Sequence, residues 1–211
     1  MSPYFDEFIT IALVHLLAVA SPGPDFAVVV RNSVAYGRRT AMFTSVGIGL
    51  AILVHVAYSL VGISVLLKTT PWLYTAFTYI AAAYLLYLAS GALRSGPAQT
   101  NNEAGAEIAA KQPAISAKKA FIQGFLTNGL NPKATLFFLS LFTVIIDSQT
   151  PSDIRLIYGL YLSLATGAWF CLLSYLLSTS RVAGAIRSKG YWLDRAMGVL
   201  LIGLAVKLVL A

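Results

Sequence analysis

The feature that most limits this chain is a set of long stretches without one ionised side chain. Residues 40–67, 69–93 and 156–180 hold no Asp, Glu, Lys or Arg over 28, 25 and 25 positions. A helix of about 20 apolar residues crosses the hydrocarbon core of a bilayer, so each stretch is long enough to span. Three further segments qualify if isolated charges are tolerated: 8–30 with Asp25, 120–146 with Lys133, and roughly 193–211 with Asp194, Arg195 and Lys207. For 8–30 the balance favours insertion. Its twelve Phe, Ile, Leu and Val residues each contribute about 0.3–0.6 kcal/mol, against roughly 2.5–3.5 kcal/mol for a central Asp. Composition closes off the soluble classes. The chain is 58% apolar and 11% charged, whereas a soluble domain is about 25% charged. Cys171 stands alone, so a disulfide scaffold is excluded.

Loop charges give the sidedness. Arg31, Arg38 and Arg39 follow the first span; Arg94, Lys111, Lys118 and Lys119 follow the third; Arg181, Arg187, Lys189 and Arg195 follow the fifth. The alternate loops offer only Lys68 and Arg155, and the first seven residues no base. Basic residues mark the cytoplasmic side, so six spans with both termini outside are expected. The net charge of +7 follows from this topology, and nucleic acid is not an expected partner. Ala18-Val19-Ala20 before Ser21 imitates a signal-peptidase site, but a secretory leader is basic and this one carries Asp6 and Glu7.

The polar stretch 94–119 reads as a cytoplasmic linker. It divides the chain into 1–93 and 120–211, three spans each. An odd number per half places the halves upside down to one another, a frequent transporter plan with the site at the repeat interface. The expected fold is an all-α integral membrane protein of six transmembrane helices in two inverted three-helix repeats. Helices 1 and 4 should be broken, by Ser21-Pro22-Gly23-Pro24-Asp25 and by Asn131-Pro132-Lys133. Both prolines precede a glycine by 27 positions, Pro22 before Gly49 and Pro132 before Gly159.

Backbone freed at such breaks must be satisfied by protein or a water-lined cavity. Half-helices starting near Pro24 and Pro132 turn positive ends inward, where an anionic group is stabilised. Asp25 suits a helix start. Lys133 does not, and needs a negative partner. Asp25 and Lys133 are therefore expected to pair when the site is empty and a small zwitterion to replace that pair: its carboxylate meets Lys133 and the half-helix amides near Pro22, Gly23 and Pro132, and its ammonium meets Asp25. The alternative is a permanent Asp25–Lys133 pair that locks two helices. Asn128 and Asn131 bracket the second break, either as ligands or as partners of freed backbone. Residue counts alone leave Asp25 and Lys133 at different depths, six positions from Arg31 and 14 from Lys119.

Other polar residues have plainer expectations. Thr127 and Ser21 read as helix-packing hydroxyls. His15 and His55 read as neutral groups bonded across helices, and Asp194 beside Arg195 as a boundary ion pair or a cytoplasmic gate. Trp72 and Trp192 suit interfaces, while Trp169 lies mid-span. Gly47, Gly49, Gly62, Gly159, Gly167, Gly198 and Gly203 are expected where helices approach closely. With no GxSxG elbow, no HExxH pair and no acid or thiol cluster, an enzyme, a metal site and a cofactor are not expected. A passive channel and a metal-ion exporter are the competing readings.

Two motifs carry a resemblance. SPGPDF at 21–26 and TNGLNPKA at 127–134, with GRR at 37–39, YLLYLASGALRS at 84–95 and LDRAMGVLLIGLAVKL at 193–208, resemble the LysE/RhtB amino-acid exporters, nearest their threonine and homoserine efflux branch. The resemblance covers nearly the whole chain, with Ala51 and Ala83 where glycine is usual. It implies export of amino acids across the bacterial inner membrane, driven by protons, with Asp25, Asn131, Pro132 and Lys133 at signature positions. Alternating access would follow as one half rocks against the other, with Asp25 and Asp194 as candidates for proton coupling. The implied partners are a small zwitterionic substrate, membrane lipid and the proton; a homodimer is an arrangement open to such a chain.

Overall fold

A computed structural model describes residues 3–21, 23–69, 71–94, 96, 115–147 and 149–177, together with 191–192, 195–196, 198–199, 201–203, 205–206 and 209–210. The described residues form helices and connecting turns, with no strand among them. In chain order the helices are α1 (Pro3–Ala20), α2 (Pro24–Ala35), α3 (Arg38–Thr69), α4 (Pro71–Leu93), α5 (Ala117–Gly129), α6 (Pro132–Val144) and α7 (Ser152–Leu176). The described positions between 191 and 210 are also helical.

Prolines set the two interruptions. Pro24 and Pro132 each take the first position of a new helix, where the missing N–H costs nothing and the fixed φ is already helical. Gly23 precedes Pro24 in an extended conformation, φ −165° and ψ −169°, without a side chain to cap the turn. Asn131 caps α6, its Oδ1 accepting from Lys133 N at 3.0 Å. The axes of α1 and α2 diverge by 54°. Ser116 caps α5 through Lys119 N at 3.2 Å, so a helix begins inside the segment expected as linker, and 97–114 lie outside the described residues.

Polarity is arranged inside out. On α1, Leu13 and Leu16 are 59% and 50% exposed while His15 is buried at 3%. On α7, Leu164 is 74% exposed while Ser163 and Thr166 are buried. Asn32, Thr44, Ser45, His55 and Ser59 are likewise buried on α2 and α3. An apolar exterior around a polar interior suits lipid rather than water. Among the described residues, Arg38–Val61 and Ser152–Leu176 are long and apolar enough to cross a membrane, and α1 with α2 makes a third span if the bent pair counts as one. The protein is a multi-pass membrane protein.

The core is assembled on α3, which touches α2, α4, α5, α6 and α7. Its approach to α5 is backbone on backbone. A Cβ at Gly47 would collide with the Phe121 carbonyl oxygen, and one at Gly124 would lie 2.8 Å from the Thr44 carbonyl carbon. Against α7 the contact is nearly as close: a Cβ at Gly49 would sit 2.8 Å from Gly167 Cα, and Ser163 Oγ donates to Gly49 O at 2.7 Å. Gly159 and Gly198 also face close neighbours, as expected; Gly203 has none within 4 Å among the described residues, and Gly124 was not among the expected positions.

Candidate functional site

The two helix breaks face one another across a partly open cavity. Its polar end is made by Ser21, Gly23, Asp25, Asn128, Asn131 and Lys133. Asp25 stands in the first turn of α2. Its Oδ2 accepts from Asn128 Nδ2 at 2.9 Å and, at 3.5 Å, from Asn131 Nδ2. Because Asn131 Oδ1 is engaged as the α6 cap, its amide nitrogen is the end turned toward the carboxylate. Asn131 thus closes the helix break and steadies the acid with one side chain.

Among the described residues no donor reaches two buried oxygens at this end, Asp25 Oδ1 and Asn128 Oδ1. Burying an acceptor unpaired costs free energy on the order of 1–3 kcal/mol, so the pair marks a place where incoming N–H groups are favoured. Lys133, in the first turn of α6, brings Nζ to 3.5 Å from Ser21 Oγ and 3.8 Å from the point a Cβ on Gly23 would occupy. The cavity therefore offers acceptors on one side and an ammonium on another.

The depth difference expected from residue counts does not keep the two charges apart. Helices α2 and α5 run antiparallel, tied by Asn32 Nδ2 to Gln123 Oε1 at 3.1 Å and by Asp25 to Asn128. Seven residues separate Asp25 from Asn32, and five separate Gln123 from Asn128. At about 1.5 Å per residue these rises differ by only about 3 Å, within the reach of the side chains. The turn at Leu130 and Asn131 then brings α6 to the same level.

The expected site residues Gly23, Asp25, Asn128, Asn131 and Lys133 line one cavity. Pro132 is exposed and serves as the first residue of α6 rather than as wall. Pro22 and Asp194 lie outside the described residues. Ser21, expected to be a packing hydroxyl, is part of the wall. His55 supports the second break: Nε2 lies 3.1 Å from Asn128 O, and Nδ1 meets the Tyr58 hydroxyl. A carbonyl only accepts, so Nε2 carries the proton, and a neutral ring then accepts from Tyr58 at Nδ1.

The apolar end of the cavity was not evident from sequence. Phe137 and Phe138 follow the break on α6, and Phe170 and Thr166 come from α7. The adjacent phenylalanines just past the LNPK turn were the one available signal; nothing in the sequence marks Thr166. His15 from α1 joins them, Nε2 2.8 Å from Thr166 Oγ1.

Comparison with known proteins gives consistent findings. The profile of the family described as LysE type translocator matches residues 16–211. The Threonine efflux protein of Escherichia coli (strain K12) is 28% identical over 206 residues, covering 97% of this chain and 98% of that protein. The Threonine efflux protein of Salmonella typhi is 29% identical over 209 residues, with the same coverage. The uncharacterized membrane protein YahN of Escherichia coli (strain K12) is 27% identical over 211 residues, 99% of this chain and 91% of its own. No solved structure matches significantly.

Proposed function

The chain belongs to the LysE type translocator family, and from that premise we propose that it exports small amino acids of the threonine and homoserine type from the cytoplasm. The observation that carries this reading is the cavity between the helix breaks, where Asp25 Oδ1 and Asn128 Oδ1, which no donor among the described residues reaches, share a wall with Lys133. A zwitterion matches both sides. Its ammonium donates to the two oxygens, and its carboxylate meets Lys133 and the first amides of α2 and α6. The names of the threonine efflux relatives support this substrate class.

The proposed architecture is six spans in two inverted repeats, 1–93 and 120–211, joined by 94–119 in a bacterial inner membrane with both termini periplasmic. Charge placement supports it. Arg31, Arg38, Arg39, Lys118 and Lys119 gather toward the end where Asn32, Thr44 and Gln123 meet. Glu7, Asp147 and Asp153 lie at the opposite end.

Transport proceeds by alternating access coupled to proton antiport. Substrate loads from the cytoplasm, and a proton arriving at Asp25 from outside releases the ammonium. The bend between α1 and α2 suits the motion, because the side-chain hydrogen bonds of its two arms go to different partners, though both arms also pack on α7. α1 is tied to α7 by His15 and to Asp147 and Thr150 by Glu7, while α2 is tied to α3 and α5 by Asn32 and Asp25.

Counterflow in proteoliposomes with a panel of labelled amino acids tests the proposal. Saturable exchange of short hydroxylated or aliphatic amino acids is expected. Flux that neither saturates nor drives countertransport would make the protein a channel and overturn the reading. Asp25→Asn should still exchange substrate but fail to accumulate it against a gradient; unchanged pumping would remove the proton step.

A further inference from the structure

The cavity has a second polar feature, at the end away from the charges. His15 and Thr166 are 3% and 2% exposed, hydrogen-bonded at 2.8 Å, and both line the wall. Their surroundings are otherwise aromatic: Phe138 and Tyr161 lie 6.4 and 6.5 Å from the imidazole, centroid to centroid. Packing alone would fill such a position with an apolar side chain. The pair also leaves unused capacity whichever atom carries the shared proton. If Thr166 donates to Nε2, its oxygen still accepts; if Nε2–H donates, the Thr166 hydroxyl is still a donor.

We infer that His15 and Thr166 form the side-chain subsite of this cavity and select amino acids whose side chain ends in a hydroxyl. The assignment rests on the exporter reading above and adds the residues that choose among substrates. His15 stands six residues before Ser21, about 9 Å along α1, so the charged end and the hydroxyl-reading end are one short, extended ligand apart. Phenylalanines line the same cavity, and a methyl in place of the hydroxyl leaves the spare hydrogen-bonding capacity of the His15–Thr166 pair unmet. A site built to bond a hydroxyl rejects its isostere strongly for that reason.

The test is competitive counterflow with hydroxyl and methyl isosteres, threonine against valine and homoserine against norvaline. The wild-type protein should favour the hydroxylated member by tenfold or more in at least one pair. Thr166→Val should bring that ratio close to one, while Thr166→Ser restores it; His15→Phe should narrow it and His15→Gln narrow it less. A ratio is insensitive to how much protein folds, so a poorly assembled variant still reports. An undiminished preference in Thr166→Val overturns the assignment, as does a wild-type protein that exchanges both members equally while still exchanging amino acids. A wild-type protein that exchanges no amino acid overturns the exporter reading itself, and this subsite with it.

Discussion

Asn128 holds both sides of the second helix break: its side-chain amide donates to Asp25 across 2.9 Å, and its backbone carbonyl accepts from His55 at 3.1 Å. One residue therefore positions the acid and is itself positioned by α3. Hydrogen bonds to charged groups contribute about 1.5–3 kcal/mol, and about 1.4 kcal/mol is tenfold in affinity. Asn128→Ala should weaken substrate binding roughly ten- to hundredfold in a binding or counterflow titration on detergent-purified, monodisperse protein. Unaltered affinity would separate Asn128 from ligand binding.

Lys133 is assigned the carboxylate. If that is its role, the wild-type protein should prefer an amino acid to its uncharged carboxamide, and Lys133→Gln should lose most of that preference. Competition by the amide against labelled amino acid measures this directly. A preference of wild-type size in the variant would move the carboxylate elsewhere.

The contact between α3 and α5 leaves no room for a methyl group. Gly124→Ala should lower thermal stability in detergent by about 1–3 kcal/mol, the usual cost of overpacking, because the atoms in the way are the Thr44 backbone. Gly91→Ala is the control. No atom of the described residues lies within 4 Å of a Cβ there, and alanine in a helix interior is favoured by about 0.8–1.0 kcal/mol.

At the other end of the molecule Glu7 gathers three partners. Its carboxylate accepts from Asp147 N at 2.6 Å, from Thr150 Oγ1 at 3.1 Å and from the Tyr158 hydroxyl at 3.0 Å. Glu7→Ala and Thr150→Val should each destabilise, and the double variant by less than their sum, with a coupling of roughly 0.5–1.5 kcal/mol. Additive effects would mean that the two side chains act independently.

Much of the site was legible because membranes make polarity conspicuous. Asp25 and Lys133 each stand alone in an apolar run beside a proline, which located both breaks and joined them as one pocket. Long-range partners were not legible. His15 and Thr166 are 151 positions apart, and Glu7 and Asp147 140 apart, so no local pattern links them. Glu7 read only as an acidic leader, and Ser21 as a packing hydroxyl. Helix ends were displaced where capping overrode composition: Ser116 starts α5 at Ala117, inside a stretch that reads as linker.

The glycine contact joining α3 to α5 reaches across the midpoint of the sequence. It joins material from before residue 94 to material from after 116, so the two halves of the sequence do not pack as separate bodies. Helix α3 is thereby held against both α5 and α7. A nick in the intervening stretch would leave that weld whole.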